Sequence, residues 1–341
     1  MQSVKEKNPK DEDDWTPLHS AATTGNQELF DMIFDQVEDK NPAAKDGWTV
    51  LHYATANDNE EIILKILKAV INKNPSSSSG GTPLHCLAEN GLFESCKIIL
   101  DDTEVKDKNP KDEDGWTPLH AATKDRHEEI AKLILNMVEE KNPGDDTGWT
   151  PLHCAAEKGL LDACKMIIEH VEDKNPKDED GDTPLHCAAS KGRYFVFKYI
   201  MDKTEDKNPK DTRLGLTPLH LAAEEGHLDI CNLILKNVQE ICPRDEKGRT
   251  PLHFSAQNGH IFACNMIIKM SKDKNPEDKD GFTPLHYAAE NGHVEVCRLI
   301  MDVIEDIFPK SKDKTTPFHL AAREGHTEVK NLISTYAASN C

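Results

Sequence analysis

No run of 18 consecutive apolar residues occurs in the chain, so nothing in it reads as a membrane-spanning helix. Met1-Gln2-Ser3-Val4-Lys5 lacks the apolar stretch of a secretory signal. Positive charge is also scarce: 41 Lys and Arg stand against 61 Asp and Glu, a formal net charge of −20. This balance disfavours nucleic acid and anionic membranes, both of which are held by basic surfaces. A basic protein is the easier partner electrostatically. The expected location is the cytoplasm, with the nucleus left open.

Chemistry-bearing motifs are missing too. There is no Cys-x-x-Cys, no Gly-Lys-Ser/Thr phosphate loop and no Gly-x-Ser-x-Gly elbow. The ten cysteines do not read as a disulfide framework, because most share a register. Cys86, Cys154 and Cys187 follow one recurring His, and Cys96, Cys164, Cys231, Cys264 and Cys297 recur at a second site. They read as small, buried, reduced packing residues. Cys242 and Cys341 fall outside these registers and are expected to be exposed.

What the chain has is recurrence. Thr-Pro-Leu-His, as at Thr117-Pro118-Leu119-His120, returns ten times with small changes. Its Thr falls at 16, 49, 82, 117, 150, 183, 217, 250, 283 and 316, a spacing of 33 residues with single steps of 35 and 34. Such a period signals a stacked array. The motif predicts a helix start: an extended Thr accepts a bond from the first turn, and Pro suits a position whose amide would lack a partner. Leu points inward, and the His at the third helical position can bond back to the turn as in a capping box. Small pairs such as Ala155-Ala156 and Ala288-Ala289 then allow close helix approach. Gly-His or a relative follows, as at Gly226-His227, predicting a left-handed helix stop. A second helix comes next, with apolar residues at helical spacing, as over 228–235. Each unit closes on Asp-Lys-Asn-Pro and a polar turn ending in Gly, expected to project as a hairpin-like loop.

Gly-x-Thr-Pro-Leu-His-x-Ala-Ala-x-x-Gly-His at this period resembles the ankyrin repeat over nearly the whole chain. The resemblance implies an all-α ankyrin-repeat solenoid of stacked antiparallel helix pairs, with projecting hairpin-like loops and a concave face made of loops and first helices. One domain over 1–341 is expected, with repeats near 13–42, 46–75, 79–110, 114–143, 147–176, 180–209, 214–243, 247–276, 280–309 and 313–341. At about 8–10 Å per helix layer, ten repeats would make a rod or gentle arc on the order of 90 Å. Asn-Pro departs from the familiar loop, and here is expected to end the second helix, because the residue before Pro leaves the helical region.

The sixteen His invite a catalytic or metal reading, but ten are the motif His and five more sit at or beside the helix stop, leaving only His170 outside. A placement repeated in every unit points to structure, so no catalytic residue is expected. His227 with Cys231, His260 with Cys264 and His293 with Cys297 each pair at i, i+4, but each pair lacks two further ligands for a tetrahedral metal site. No cofactor or metal is expected.

The informative residues are aromatic. Trp15, Trp48, Trp116 and Trp149 immediately precede the motif Thr, and Phe282 takes the same place. One reading is a hydrophobic staple onto the fifth residue after, which suits Trp48 over Tyr53 and Phe282 over Tyr287. Trp15 over Ser20 and Trp116 over Ala121 would leave ring surface uncovered, with Trp149 over Cys154 intermediate. By the resemblance this place lies where such arrays grip partners, and desolvated aromatic anchors carry disproportionate binding energy. Beside them, Glu12, Asp13, Glu113, Asp114, Asp145, Asp146, Glu179 and Asp180 make acidic loop tips, while Arg213, Lys247, Lys279 and Lys312 dilute the later ones.

The expected function is non-catalytic recognition of a partner protein, one with a basic surface, through concave face and loop tips by a monomeric scaffold. The alternative is a regulatory or adaptor segment of a larger polypeptide such as a channel, an enzyme or a ubiquitin-ligase adaptor. A partial repeat at 4–9 favours it, and the polar last repeat, which reads as a cap, disfavours it. Departures from the pattern cluster between Asp58 and Arg126, both at stops where Gly belongs. Amide hydrogen exchange is therefore expected to be fastest between these residues; uniform protection across all ten units would contradict a soft segment there.

Overall fold

In a computed structural model, residues 7–339 are described, and among them twenty α-helices occur, two to each repeat. Cys341 and residues 4–6 of the partial repeat lie outside the described residues. The first helices are seven or eight residues long, from α1 (Pro17–Thr24) to α19 (Pro317–Arg323). Their partners run from α2 (Gln27–Phe34) to α20 (Thr327–Ser339). Contacts divide the chain into two compact units, residues 1–155 with 160–172, and residues 156–159 with 173–341. Within each, consecutive first helices pack on one another and second helices form a parallel row behind them. Ala21-Ala22, Ala188-Ala189 and Ala288-Ala289 are fully buried at the helix contacts, and the motif Leu from Leu18 to Leu285 is buried throughout.

The full expected capping box opens nine of the ten first helices. In all ten repeats the motif His accepts the backbone N–H of its own Thr on Nδ1, at 2.9–3.2 Å. That contact fixes the neutral tautomer with its proton on Nε2. The proton is then used between repeats. His85 Nε2 donates to the carbonyl of Trp116 at 3.2 Å, His120 to Trp149 at 3.1 Å, and His253 to Phe282 at 3.2 Å. Each of these three imidazoles therefore caps its own helix and holds the next hairpin.

The Asp-Lys-Asn-Pro signature works differently from the expectation that Asn-Pro ends the second helix. Helix α8 (Glu128–Met137) stops at an extended Val138, well before Asn142-Pro143. Lys141 reaches back to the carbonyls of Leu135 and Val138, and Lys207 and Lys274 do the same in their repeats. A cation donating to the last carbonyls both satisfies them and suits the helix dipole. The Asn is committed forward: Asn109 Oδ1 accepts the N–H of Leu119 at 2.9 Å, and Asn8, Asn41, Asn142, Asn175, Asn208 and Asn275 do likewise for the following motif Leu. It thereby takes an amide of the first turn that the capping box leaves over.

Stops and crossings are coupled. Gly25, Gly91, Gly192, Gly226, Gly259 and Gly292 have positive φ, as expected. A Cβ at any of these would lie 2.4–2.6 Å from a side chain of the next repeat: Asn59, His127, His227, His260, His293 or His326. That side chain crosses the Gly to bond a carbonyl at the end of the preceding first helix, as His127 Nε2 does to Glu89 at 2.8 Å and His293 Nε2 to Gln257 at 2.8 Å. Where the stop is not Gly, at Asp58 (φ 56°) and Arg126 (φ 67°), the next repeat carries Leu92 or Leu160 in place of the crossing residue.

Two expectations follow. Gly259→Ala should lower stability by more than about 1 kcal/mol, because it adds left-handed strain and forces His293 off its carbonyl, whereas Arg126→Gly should raise it by up to about 1 kcal/mol. Urea titration of both variants checks the pair, and a neutral Gly259→Ala would break the coupling. Burial also holds His52, His120, His186, His220 and His253 down at about 4, from an ordinary 6.5. Above pH 6.5 these rings are neutral folded or unfolded. Between 6.5 and 4 the unfolded chain binds protons that the folded chain refuses, so stability falls as pH falls through that window. Denaturant midpoints measured from pH 7 to 4 should decline with net proton uptake on unfolding, and a flat profile would contradict the neutral, buried tautomer.

Candidate partner-binding surface

Most of the projecting loops are built on an Asp, with Ala44, Ser77 and Ser311 at the equivalent place in the others. Asp112 Oδ1 accepts the N–H groups of Asp114 and Trp116 at 3.1 and 2.8 Å, and Asp145 and Asp278 hold their loops in the same way. Such turns suit Asp, whose short side chain reaches amides a few residues on. Backbone bonds then tie each tip to the one before it. In the first unit Lys45, Ser78, Glu113 and Asp146 donate to Asp13, Asp46, Ser79 and Asp114 at 2.8–2.9 Å. In the second, Thr212, Glu246, Lys279 and Lys312 donate to Asp180, Leu214, Lys247 and Asp280 over the same range. The loops form ordered edges, and beyond one isolated bridge, Ala43 to Thr49, no strand occurs among the described residues.

The aromatic row stands where these loops meet the first helices, and all five rings are half-buried. Their floor is the motif His of the same repeat. Ring centroids lie 5.1 Å apart for Trp15 and His19, 5.4 Å for Trp48 and His52, 4.6 Å for Trp116 and His120, and 4.8 Å for Trp149 and His153. Phe282 meets His286 edge-on at 5.3 Å. The staple contacts are present as well: Trp48 meets Tyr53 at 5.1 Å, and Phe282 meets Tyr287 at 6.3 Å. Trp15 departs from the expectation of an uncovered ring, because Tyr53 of the next repeat packs against it at 4.6 Å and its Nε1 donates to Ser20 at 2.7 Å. Trp149 Nε1 donates to Cys154 Sγ at 3.1 Å. Over Trp116 stands the ammonium of Lys124, 5.6 Å from the ring centroid.

Glu12, Asp13, Glu113, Asp114 and Asp146 are exposed tip residues of the first unit. Glu179 and Asp180 are exposed in the second, where Asp180 lies 3.4 Å from Arg213. The histidines and cysteines are committed elsewhere. His227 Nε2 bonds the Ser190 carbonyl at 3.1 Å, while its i+4 neighbour Cys231 is buried behind the helix contact. Burial pushes the thiols of Cys96, Cys231, Cys264 and Cys297 up to about 12, keeping them protonated and unreactive. No disulfide and no cluster of metal-ligating side chains occurs among the described residues. Cys242 departs from its expected exposure: it is half-buried, with Sγ 2.9 Å from Ser271 Oγ. Cys86, expected to be buried, is also half-buried.

Sequence reasoning missed the crossing His, the capping Lys and the forward-bonded Asn. Their signal was present as fixed spacing, with Asn ten residues before the motif Leu in all but one of the bonded repeats. Among the described residues no helix is long and apolar enough to cross a membrane. No curated protein matches the chain. A family model describing three copies of the ankyrin repeat matches overlapping segments, 2–77, 30–112, 64–142, 84–178, 135–211, 170–245, 206–278 and 270–340. With helix pairs, capped motif and hairpin edges in every repeat, and that match from residue 2 to residue 340, the chain belongs to the ankyrin-repeat family.

Proposed function

We propose that this chain is a non-catalytic scaffold that grips a partner protein through its aromatic row and acidic loop tips. Ankyrin repeats are generally protein–protein interaction modules. The observation that carries the reading is the row of half-buried indoles, each packed face to face or tilted on the buried His of its own repeat, beside exposed carboxylates. Stacking holds each ring in one pose, so little rotamer entropy remains to be lost when a partner covers it. Trp116 and Trp149 are the principal anchors, with Trp15, Trp48 and Phe282 more covered by tyrosines. Glu12, Asp13, Glu113, Asp114, Asp146, Glu179 and Asp180 steer a partner with a basic surface.

A partner captured from cell lysate at low salt should be released at moderate salt, because exposed charges are screened there. Against that purified partner, Trp116→Ala should weaken Kd by about tenfold or more. The melting temperature of the variant should drop by only a few degrees. A stability loss that matches the affinity loss would return Trp116 to a packing role.

A further inference from the structure

In the third repeat the aromatic row is interrupted. Gly81 occupies the place held by Trp15, Trp48, Trp116 and Trp149, and the missing ring leaves a slot of about 300 Å³. Its walls are Trp48 and Trp116, and His85 forms part of the floor. Without an indole on it, His85 is 9% exposed, whereas His52, His120 and His153 are at 0%. Both of its nitrogens are engaged, Nδ1 by the Thr82 amide and Nε2 by the Trp116 carbonyl, so the floor offers a ring face rather than a hydrogen-bonding group. Glu89, Asp112 and Asp125 line the slot, against the single ammonium of Lys124.

An aromatic floor between two indoles, lined by more carboxylates than cations, suits a flat cation. A guanidinium stacks on π faces and pairs with carboxylates in one pose, which an ammonium or a neutral ring cannot do. Two features of the chain support this chemistry. Lys124 already rests over the Trp116 ring, marking that face as one that attracts cations. In repeat eight the same register is filled by Arg249, whose guanidinium lies 4.3 Å from the Phe254 ring while its Nε donates to Asp245 at 2.8 Å. We propose that the slot at Gly81 receives the guanidinium of an arginine side chain presented by the partner. The assignment rests on the protein-binding reading above and adds to it the residue type that this position selects.

The test uses the full chain labelled with 5-fluorotryptophan, each fluorine resonance assigned by replacing one Trp at a time. Titration with N-acetyl-arginine amide should move the Trp48 and Trp116 resonances saturably and leave Trp15 and Trp149 in place. N-acetyl-citrulline amide, the uncharged isostere, and N-acetyl-phenylalanine amide should bind roughly tenfold more weakly or less. Gly81 lacks positive φ, and a Cβ there would meet only the Ser77 and Ser79 hydroxyls at 3.4 and 4.0 Å, so Gly81→Trp can fill the slot without backbone strain. That variant should melt no lower than the parent and lose arginine binding, while Gly81→Ala keeps it. Glu89→Gln with Asp125→Asn supplies a second arm, with an expected affinity loss of roughly tenfold. Equal shifts at all four Trp, equal affinity for citrulline or phenylalanine, or retained binding in Gly81→Trp would overturn the slot. Because the probe is a small molecule, its failure leaves capture of a partner by the rest of the surface intact, so the two readings fail separately.

Discussion

The motif histidine is the interaction on which the rest depends. Its Nδ1 is spent on the Thr amide of its own helix, and that choice leaves one N–H to aim at the next repeat. The carbonyl it reaches also closes the neighbouring hairpin: Trp116 O accepts from both His85 Nε2 and the Asp112 amide. One side chain therefore couples helix start, repeat spacing and loop posture. Such a ring must be buried and neutral to do this, and a general base or metal ligand at the same position would need the nitrogen that is already engaged.

Around that bridge, the units are locked by residues that carry little meaning inside a single repeat. Lys of the Asp-Lys-Asn-Pro run closes the helix behind it, and Asn opens the helix ahead. The glycine stop matters as much for the neighbouring repeat as for its own turn, since only hydrogen fits beneath the crossing imidazole. Asp58 and Arg126 sit at positive φ without that clash because leucines replace the crossing residues. This pairing within one chain gives the nearest-neighbour coupling of repeat proteins a specific chemical form. The two departures are thus compensated sterically, though not in backbone strain.

The same scaffolding explains the character of the surface. Hairpins tied tip to tip and pinned by Asp turns present the indoles on an ordered edge rather than on free loops. Rigid aromatic groups flanked by carboxylates are suited to hold a basic partner, and a missing ring in such a row is a recess of defined chemistry. On the proposed reading, the repeats supply the surface and their irregularities its selectivity.

Much of this was legible in the sequence because a period of 33 residues is a one-dimensional signal. Helix pairs, the capping box of Thr16 to His19 and its counterparts, the left-handed stops and the buried second-helix cysteines all follow from local rules of capping, periodicity and burial. Contacts between repeats were not legible, because the groups that meet are separated by 29 or more residues and their pairing depends on how far one helix layer stands from the next. So the Trp15 ring was expected to lie bare when Tyr53 of the following unit covers it. The Asn bond was missed for a different reason: it spans only ten residues, but Asn-Pro carries a local helix-ending signal that masked its forward contact. The sequence by itself determined the repeating unit and its register, through propensities acting over one or two turns. Only the tertiary structure decided which side chains serve the neighbour and where an absent one leaves a slot, because both depend on distances between units that no single repeat encodes.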